Sequence, residues 1–247
     1  MPSKINLQIL ETADEVAVEA AKVIAEMVSK KPNTVIGLAT GSTPERTYEE
    51  LAKIHKTEGL SFAGVTSFNL DEYWGLSGDH DQSYRYFMNQ HLFNNIDIRP
   101  WNTNVLNGSA VNPNLECQAF ETKILASGGI DIWLLGIGIN GHIAFNEPGS
   151  PIDTRTRLVS LSQSTIEANS DGRSFSDPAE VPRSALSAGI GTIREARKLI
   201  LLAIGEKKAE AIAAAVEGPF SAACPSSLLQ DHPDCTFILD RGAASNL

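Results

Sequence analysis

Hydrophobic positions along the chain fall into two alternating rhythms. Over residues 12–29, Val16, Ala20, Val23, Ile24 and Met27 recur at three- and four-residue intervals, the spacing of one helix face. Thr12 and Glu15 stand at capping-box spacing just ahead of it. The next apolar run, TVIGLA (34–39), is short and continuous, which predicts a strand covered on both faces. VTSFNL (65–70), DIWLLGIG (131–138), KLILLAIG (198–205) and CTFILD (235–240) repeat that signature. Between these runs the helical spacing returns. It follows Pro44, where Tyr48, Leu51 and Ile54 line one face and Ser42 or Thr43 is the expected cap. It returns at 83–93, at 116–127, and in EKKAEAIAAAVEG, which ends at Gly218. Strands alternating with such helices predict an α/β fold, a mostly parallel sheet with helices on both faces.

No repeat, low-complexity tract or linker breaks the pattern, so residues 1–247 read as one domain. The stretch 149–185, rich in Ser, Asp, Pro and Gly, has the least regular pattern. A long irregular stretch in a compact domain is expected to be functional, and here it is read as a lid.

Composition narrows the function classes. Of 247 residues, 42% are apolar and 20% charged, which excludes a disordered or fibrous chain. The net charge of −10 repels nucleic acid and anionic membranes, and no basic run offsets it, so neither is an expected partner. No run approaches membrane-spanning length, and the N-terminal MPSKINLQIL has no signal-peptide pattern. Cys117, Cys224 and Cys235 are odd in number and far apart, as expected of free thiols in the cytoplasm.

Four places could carry chemistry. Thr40-Gly41-Ser42-Thr43-Pro44 joins a strand to a helix, where amides and hydroxyls at a helix N-terminus can bind an anion. It lacks the Lys of a Walker A loop, and the same residues also suit an ordinary capped turn. Asp71-Glu72 follows a strand, where ligands of open α/β sheets sit. Successive residues on an extended chain point opposite ways, so at most one of these carboxylates should face a given ligand. Gly136, Gly138 and Gly141 match a dinucleotide fingerprint literally, but Pro148 and Pro151 interrupt any following helix and no acidic strand end lies at the ribose position. What remains is a glycine-lined strand end presenting Asn140, His142 and Glu147, with His142 suited to proton transfer near neutral pH. Lys208 stands in the first turn of a helix, where the dipole disfavours a cation unless an anion binds, and Arg173 could clamp an anion from the irregular stretch. Asp79-His80-Asp81 and the set Cys224, His232 and Cys235 lack zinc or calcium spacing, so no metal is expected.

The runs GLATGSTP (37–44), FNLDEY (68–73) and GHIAFNEP (141–148) resemble the glucosamine-6-phosphate deaminase family. So do Ser83-Tyr84, Val181-Pro182 ahead of Ala185-Leu186, and AVEG (215–218), so the resemblance covers about residues 9–245 in order. It implies a Rossmann-like fold and conversion of glucosamine 6-phosphate and water to fructose 6-phosphate and ammonia, without cofactor or metal. By the same resemblance Asp71 moves a proton from C2 to C1, and His142 opens the sugar ring with Glu147 in support. Ser42, Thr43, Arg173 and Lys208 hold the phosphate, and Thr40, Gly41, Glu72 and Gly141 complete the expected substrate contacts.

The chain departs from the family pattern in places. Asn140 stands where some members carry Asp; it cannot act as a base and is expected to orient His142 or a substrate hydroxyl. Ser150 and Arg157 fit the effector site of hexameric members, but Pro151 and Val159 replace an expected Ser and Lys, and the chain ends soon after its last strand. A monomer or small homo-oligomer with little activation by an acetylated sugar phosphate is therefore expected. Galactosamine 6-phosphate remains an alternative substrate. A 6-phosphogluconolactonase-like hydrolase would carry Arg after Asp-Glu, where this chain has Tyr73, and a non-catalytic sensor would lack the acid–base set.

Overall fold

The computed structural model describes residues 4–161, 166–167, 175, 177 and 180–247. Strand β1 (Asn6–Leu10) is followed by helix α1 (Ala13–Lys30), β2 (Val35–Leu38), α2 (Ser42–Glu58) and β3 (Thr66–Asn69). Then come β4 (Asp71–Tyr73), α3 (Tyr84–His91), β5 (Thr103–Asn104), α4 (Pro113–Ala126) and β6 (Ile132–Gly136). The rest is β7 (Arg157–Ser160), β8 (Ser184–Ser187), α5 (Ile190–Arg194), β9 (Lys198–Ala203), α6 (Ala209–Val216) and β10 (Cys235–Asp240). Among the described residues no helix is long and apolar enough to cross a membrane.

The predicted capping box opens α1: the Glu15 amide donates to Thr12 Oγ1 at 3.2 Å and the Thr12 amide to Glu15 Oε2 at 3.0 Å. Such a cap is worth about 1 kcal/mol. All seven strands of the main sheet run parallel, in the order β1-β10-β9-β6-β2-β3-β5. Alternate residues of each strand supply opposite faces. Val35, Phe68, Trp133, Leu135, Leu199, Leu201 and Phe237 pack with α4, α5 and α6. Ile36, Leu38, Ile132, Leu134, Ile200, Leu202 and Ile238 pack with α1, α2 and α3. Gly37 is required on β2 because the fully buried Trp133 ring lies across it, 2.2 Å from where a Cβ would stand.

Departures from the sequence reading have local causes. Helix α2 starts at Ser42 with Gly41 as the preceding residue, so neither Ser42 nor Thr43 caps it. The 206–218 helix divides into a tight turn at Glu206–Lys208 and α6. β1 shows no apolar run because it is an exposed edge strand, and β4 and β5 are too short to carry a period. Among the described residues of the stretch 149–185, β7 forms a strand that pairs antiparallel with β8, which pairs with β4 in a second, three-stranded sheet. Tyr73, Phe145, Ile166, Phe175, Val181 and Ala185 form a third apolar cluster against that sheet.

The chain leaves β2 toward β3 on one side, and leaves β6 toward β9 on the other. The gap between β2 and β6 is therefore the point where the winding reverses. In open α/β sheets, ligands bind in the crevice beyond the carboxyl ends of the strands at such a point.

Candidate active site

The β2 side of the crevice is the 39–43 turn. Gly41 adopts φ 104°, which L side chains rarely reach, and so lets the chain double back into α2. The Tyr48 hydroxyl, fully buried, donates to the Ala39 carbonyl and pins the turn from beneath. No side chain caps the first turn of α2, so its leading N–H groups and the positive end of its dipole stand open beside Ser42 and Thr43. Thr40 and Thr43 are half-buried, and Gly41 and Ser42 exposed.

The β3 side holds the two carboxylates. The Leu70 amide donates to the Leu38 carbonyl at 3.0 Å, and the Ala188 amide donates to the Leu70 carbonyl at 2.7 Å. At Leu70 the chain thus passes from the main sheet to the small one, and Asp71 becomes the first residue of β4, opposite Ser187. Asp71 is 7% exposed and makes no side-chain hydrogen bond among the described residues. Burial, and then the neighbouring Glu72 charge, push its carboxyl up to about 8. Glu72, 1% exposed, accepts the amides of Tyr73, Tyr84 and Arg85, each at 2.9 Å. Burial raises it to about 7, against these bonds and the Arg85 charge. Glu72 was expected among the substrate contacts; its oxygens instead accept the amide of Tyr73 on β4 and the first two amides of α3.

On the β6 side, Gly138 and His142 close a tight loop. The Gly138 amide donates to the His142 carbonyl at 2.9 Å, and the Gly141 amide to the Gly138 carbonyl at 3.0 Å. A Cβ on Gly138 would lie 2.2–2.5 Å from three atoms of the imidazole, so the ring rests directly on this backbone. Asn140 Nδ2 donates to Glu147 Oε2 at 2.8 Å, and Asn140 Oδ1 accepts the His142 amide at 3.2 Å. His142 Nδ1 stands 3.8 Å from Glu147 Oε2 and is buried without a hydrogen-bond partner. Burial holds the imidazole below its ordinary pKa, Glu147 opposes this, and Lys208 adds to it. Lys208 Nζ donates to the Ile137 carbonyl at 2.7 Å, and burial lowers its pKa. It has no carboxylate within ion-pair distance among the described residues.

This loop is stitched to β8, whose far side pairs with Asp71. The Phe145 amide donates to Ser187 Oγ at 3.1 Å, and Asn146 Nδ2 to the Ala188 carbonyl at 2.8 Å. Arg157 on β7 donates to Asn146 Oδ1 at 2.8 Å. Behind the loop, the Ser226 amide donates to the Gly141 carbonyl at 2.9 Å, and Cys224 Sγ occupies the space next to Gly141. Ser187 and Ala188 therefore join the Asp71 strand to the His142 loop. No local pattern reports them, because their role exists only once β8 lies between β4 and that loop.

Asp71 after β3, the α2 N-terminus after β2, and the Asn140–Glu147 loop with Lys208 after β6 thus all stand at the carboxyl ends of adjacent strands of the main sheet. Arg173 lies outside the described residues. Among those residues no group of three His, Cys, Asp or Glu side chains is placed to hold a metal. His232 engages both ring nitrogens with backbone, one on the Ala196 carbonyl at 2.9 Å and one on the Asp234 amide at 3.1 Å.

Known proteins resemble this chain over almost its whole length. A family model described as glucosamine-6-phosphate isomerases/6-phosphogluconolactonase matches residues 9–238. Glucosamine-6-phosphate deaminase 1 of Giardia intestinalis is 52% identical over 244 residues, 98% of this chain and 90% of that protein. Glucosamine-6-phosphate deaminase of Shewanella loihica is 52% identical over 243 residues, with the same coverage of each chain. A solved monomeric glucosamine-6-phosphate deaminase superposes with a TM-score of 0.96 at 43% identity, covering 98% of this chain and all of the other. A 6-phosphogluconolactonase from Trypanosoma cruzi, at 24% identity and a TM-score of 0.79, shares the fold. With the family model spanning the crevice-forming loops and relatives matching at half of all positions, this chain belongs to the glucosamine-6-phosphate isomerase/6-phosphogluconolactonase family.

Proposed function

We propose that this protein converts glucosamine 6-phosphate and water to fructose 6-phosphate and ammonia, with its own side chains as the acid–base groups. Relatives at about half identity over nearly the full length carry that activity in their names. The observation that carries the residue assignment is the β8 splice, which ties the unpaired Asp71 carboxylate and the His142 loop to the same crevice.

The closed sugar must open first. His142, held neutral by burial and oriented by the Gly138 backbone, takes the proton of the C1 hydroxyl and returns it to the ring oxygen. Asn140 keeps Glu147 in place, and Glu147 steadies the imidazole while it is charged. Asp71 then removes the C2 proton of the open-chain aldehyde to give an enolamine and delivers it to C1. The product is the imine of the ketose, which water hydrolyses to ketose and ammonia. A carboxylate shielded from water is a stronger base than an exposed one, and such proton transfer contributes about 10²–10⁴-fold.

The phosphate docks at the open N-terminus of α2, on the amides and hydroxyls of Ser42 and Thr43 beside Gly41, with Lys208 supplying the countercharge. Thr40 and Gly141 line the walls. Binding energy from this remote group holds C1 and C2 against Asp71. It also accounts for an anion entering a chain of net charge −10, since cation and dipole are concentrated at one place. Residues 149–185 act as the cover, with β7 and the buried Phe175 and Val181 as its anchors. Ser150 Oγ donates to the Glu147 carbonyl at 2.7 Å and Arg157 to Asn146, so both residues of the partial effector pattern serve the catalytic loop. A monomer, as in the solved relative at 43% identity, fits that use. A cytoplasmic location fits the free thiols of Cys117, Cys224 and Cys235.

The test is Asp71→Asn in a coupled ammonia assay with glucosamine and galactosamine 6-phosphates. Turnover of the preferred sugar is lost while sugar-phosphate binding persists. Full activity in the variant would place the base elsewhere, and a preference for the galactosamine ester would replace the substrate named here.

A further inference from the structure

Glu72 follows Asp71 directly, is 1% exposed, and holds three backbone amides on its carboxylate. We infer that Glu72 is a positioning residue for Asp71: it anchors β4 to the start of α3, so that the Asp71 carboxylate is turned to the opposite face of the strand with the Glu72 charge next to it. The inference rests on the assignment of Asp71 as the base.

The geometry works through strand alternation. Asp71 and Glu72 are consecutive on β4, so their side chains leave opposite faces. Three charge-assisted hydrogen bonds fix Glu72 on the α3 side and thereby turn Asp71 the other way. A slip of β4 by one residue would exchange the two carboxylates and strand three buried amides without an acceptor. Pairing of Asp71, Glu72 and Tyr73 with Ser187, Leu186 and Ala185 fixes the same register from the other edge.

Among the described residues, the charge of the pair is offset only at a distance, by Arg85 acting on Glu72. Strand β8 contributes no titratable group opposite β4. Tyr73 on β4 and Tyr84 on α3, with ring centroids 4.9 Å apart, are the phenols that feel both carboxylates, and burial raises both above the ordinary range. Arg85 is the nearest cation to Glu72, but its guanidinium donates to Thr103 Oγ1 at 2.8 Å and to the Thr103 carbonyl at 3.0 Å, and lies 5.7 Å from the Phe93 ring. From the β6–β7 loop, His142 and Glu147 are the titratable groups at the crevice, and Lys208 stands behind them at Ile137. Glu72, held by amides, ionises before Asp71, so Asp71 loses its proton next to an existing negative charge.

The experiment is the pH profile of kcat/KM for wild type, Glu72→Gln and Glu72→Asp with glucosamine 6-phosphate. In Glu72→Gln the acid limb moves to lower pH by about one unit or more, while KM stays within about threefold. In Glu72→Asp the charge remains and the reach shortens, so the limb stays in place and kcat falls. An unmoved limb in a folded Glu72→Gln overturns the inference. So does a tenfold or greater rise in KM at constant kcat, which would make Glu72 a substrate ligand. Should Glu72→Gln not fold, carboxyl titration of the wild-type protein by ¹³C NMR decides the matter: an Asp71 signal that moves in two coupled steps shared with Glu72 supports the inference, and an Asp71 signal that titrates in one step independent of Glu72 overturns it. Activity in Asp71→Asn would instead remove the base assignment itself, a separate outcome.

Discussion

Replacing Gly138 by Ala isolates the contact on which the ring-opening step depends. The backbone of Gly138 is outside the left-handed region, so alanine adds no conformational strain and its effect is purely steric. The new methyl would stand 2.2 Å from His142 Cε1, 2.4 Å from Nδ1 and 2.5 Å from Nε2. Ordinary carbon contacts need about 3.5 Å, so ring and backbone must part by about 1.3 Å. The ring cannot yield freely, because its own amide is bound by Asn140 and its carbonyl by the Gly138 amide. Overpacking of this kind costs about 1–3 kcal/mol of stability, and a displacement of about 1 Å at a catalytic group costs about 10²-fold in rate. Ammonia release from the ring-closed sugar, measured alongside the thermal midpoint, is the assay. Turnover is expected to fall by about two orders of magnitude with sugar-phosphate binding little changed. Wild-type turnover in a variant of unchanged midpoint would refute the placement of the imidazole on this backbone.

Two further outcomes follow from the charges of the site. Lys208→Met removes the cation proposed for the phosphate, so KM is expected to rise about tenfold or more with kcat within about threefold, and inorganic phosphate should inhibit less well. A kcat loss at constant KM would assign Lys208 to the chemistry instead. For Asp71 the folded carboxyl at about 8 lies above its ordinary 3.8, so between these values the native state keeps a proton that the unfolded chain releases. Stability contributed by this site therefore falls as pH rises from about 4 to 8, by a total on the order of 2–5 kcal/mol. Asp71→Asn removes that loss. Its thermal midpoint should match wild type near pH 4 and exceed it increasingly toward pH 8, and a gap independent of pH would contradict the burial argument.

How much of this protein can be read from its sequence depends on whether a feature is local. Continuous apolar runs such as DIWLLGIG and KLILLAIG announce strands covered on both faces, because only a parallel sheet between helix layers buries both sides of a strand. The Thr12–Glu15 capping box is equally local and stands where the spacing puts it. The proposed acid–base residues Asp71, His142 and Glu147 stand out in the sequence because strand ends and glycine-lined turns are where α/β sheets present side chains to ligands. The direction in which each side chain points is another matter. Asp71 and Glu72 are chemically alike and adjacent, and which one enters the crevice is decided by the amides of Tyr73, Tyr84 and Arg85, two of them a dozen residues away.

The same holds for the strands hidden in the Ser- and Pro-rich stretch. β7 and β8 are too short to carry a period and exist because they pair with each other and with β4. Ser187 and Asn146 acquire their roles only through contacts spanning about forty residues of chain. The sequence by itself determined the layers, the strand ends and the chemical groups available there, since those follow from side-chain polarity and period. Tertiary structure alone decided which of the two carboxylates is bound by backbone amides, what bears the imidazole and what joins β4 to the His142 loop, because each depends on groups distant in sequence meeting at one buried point.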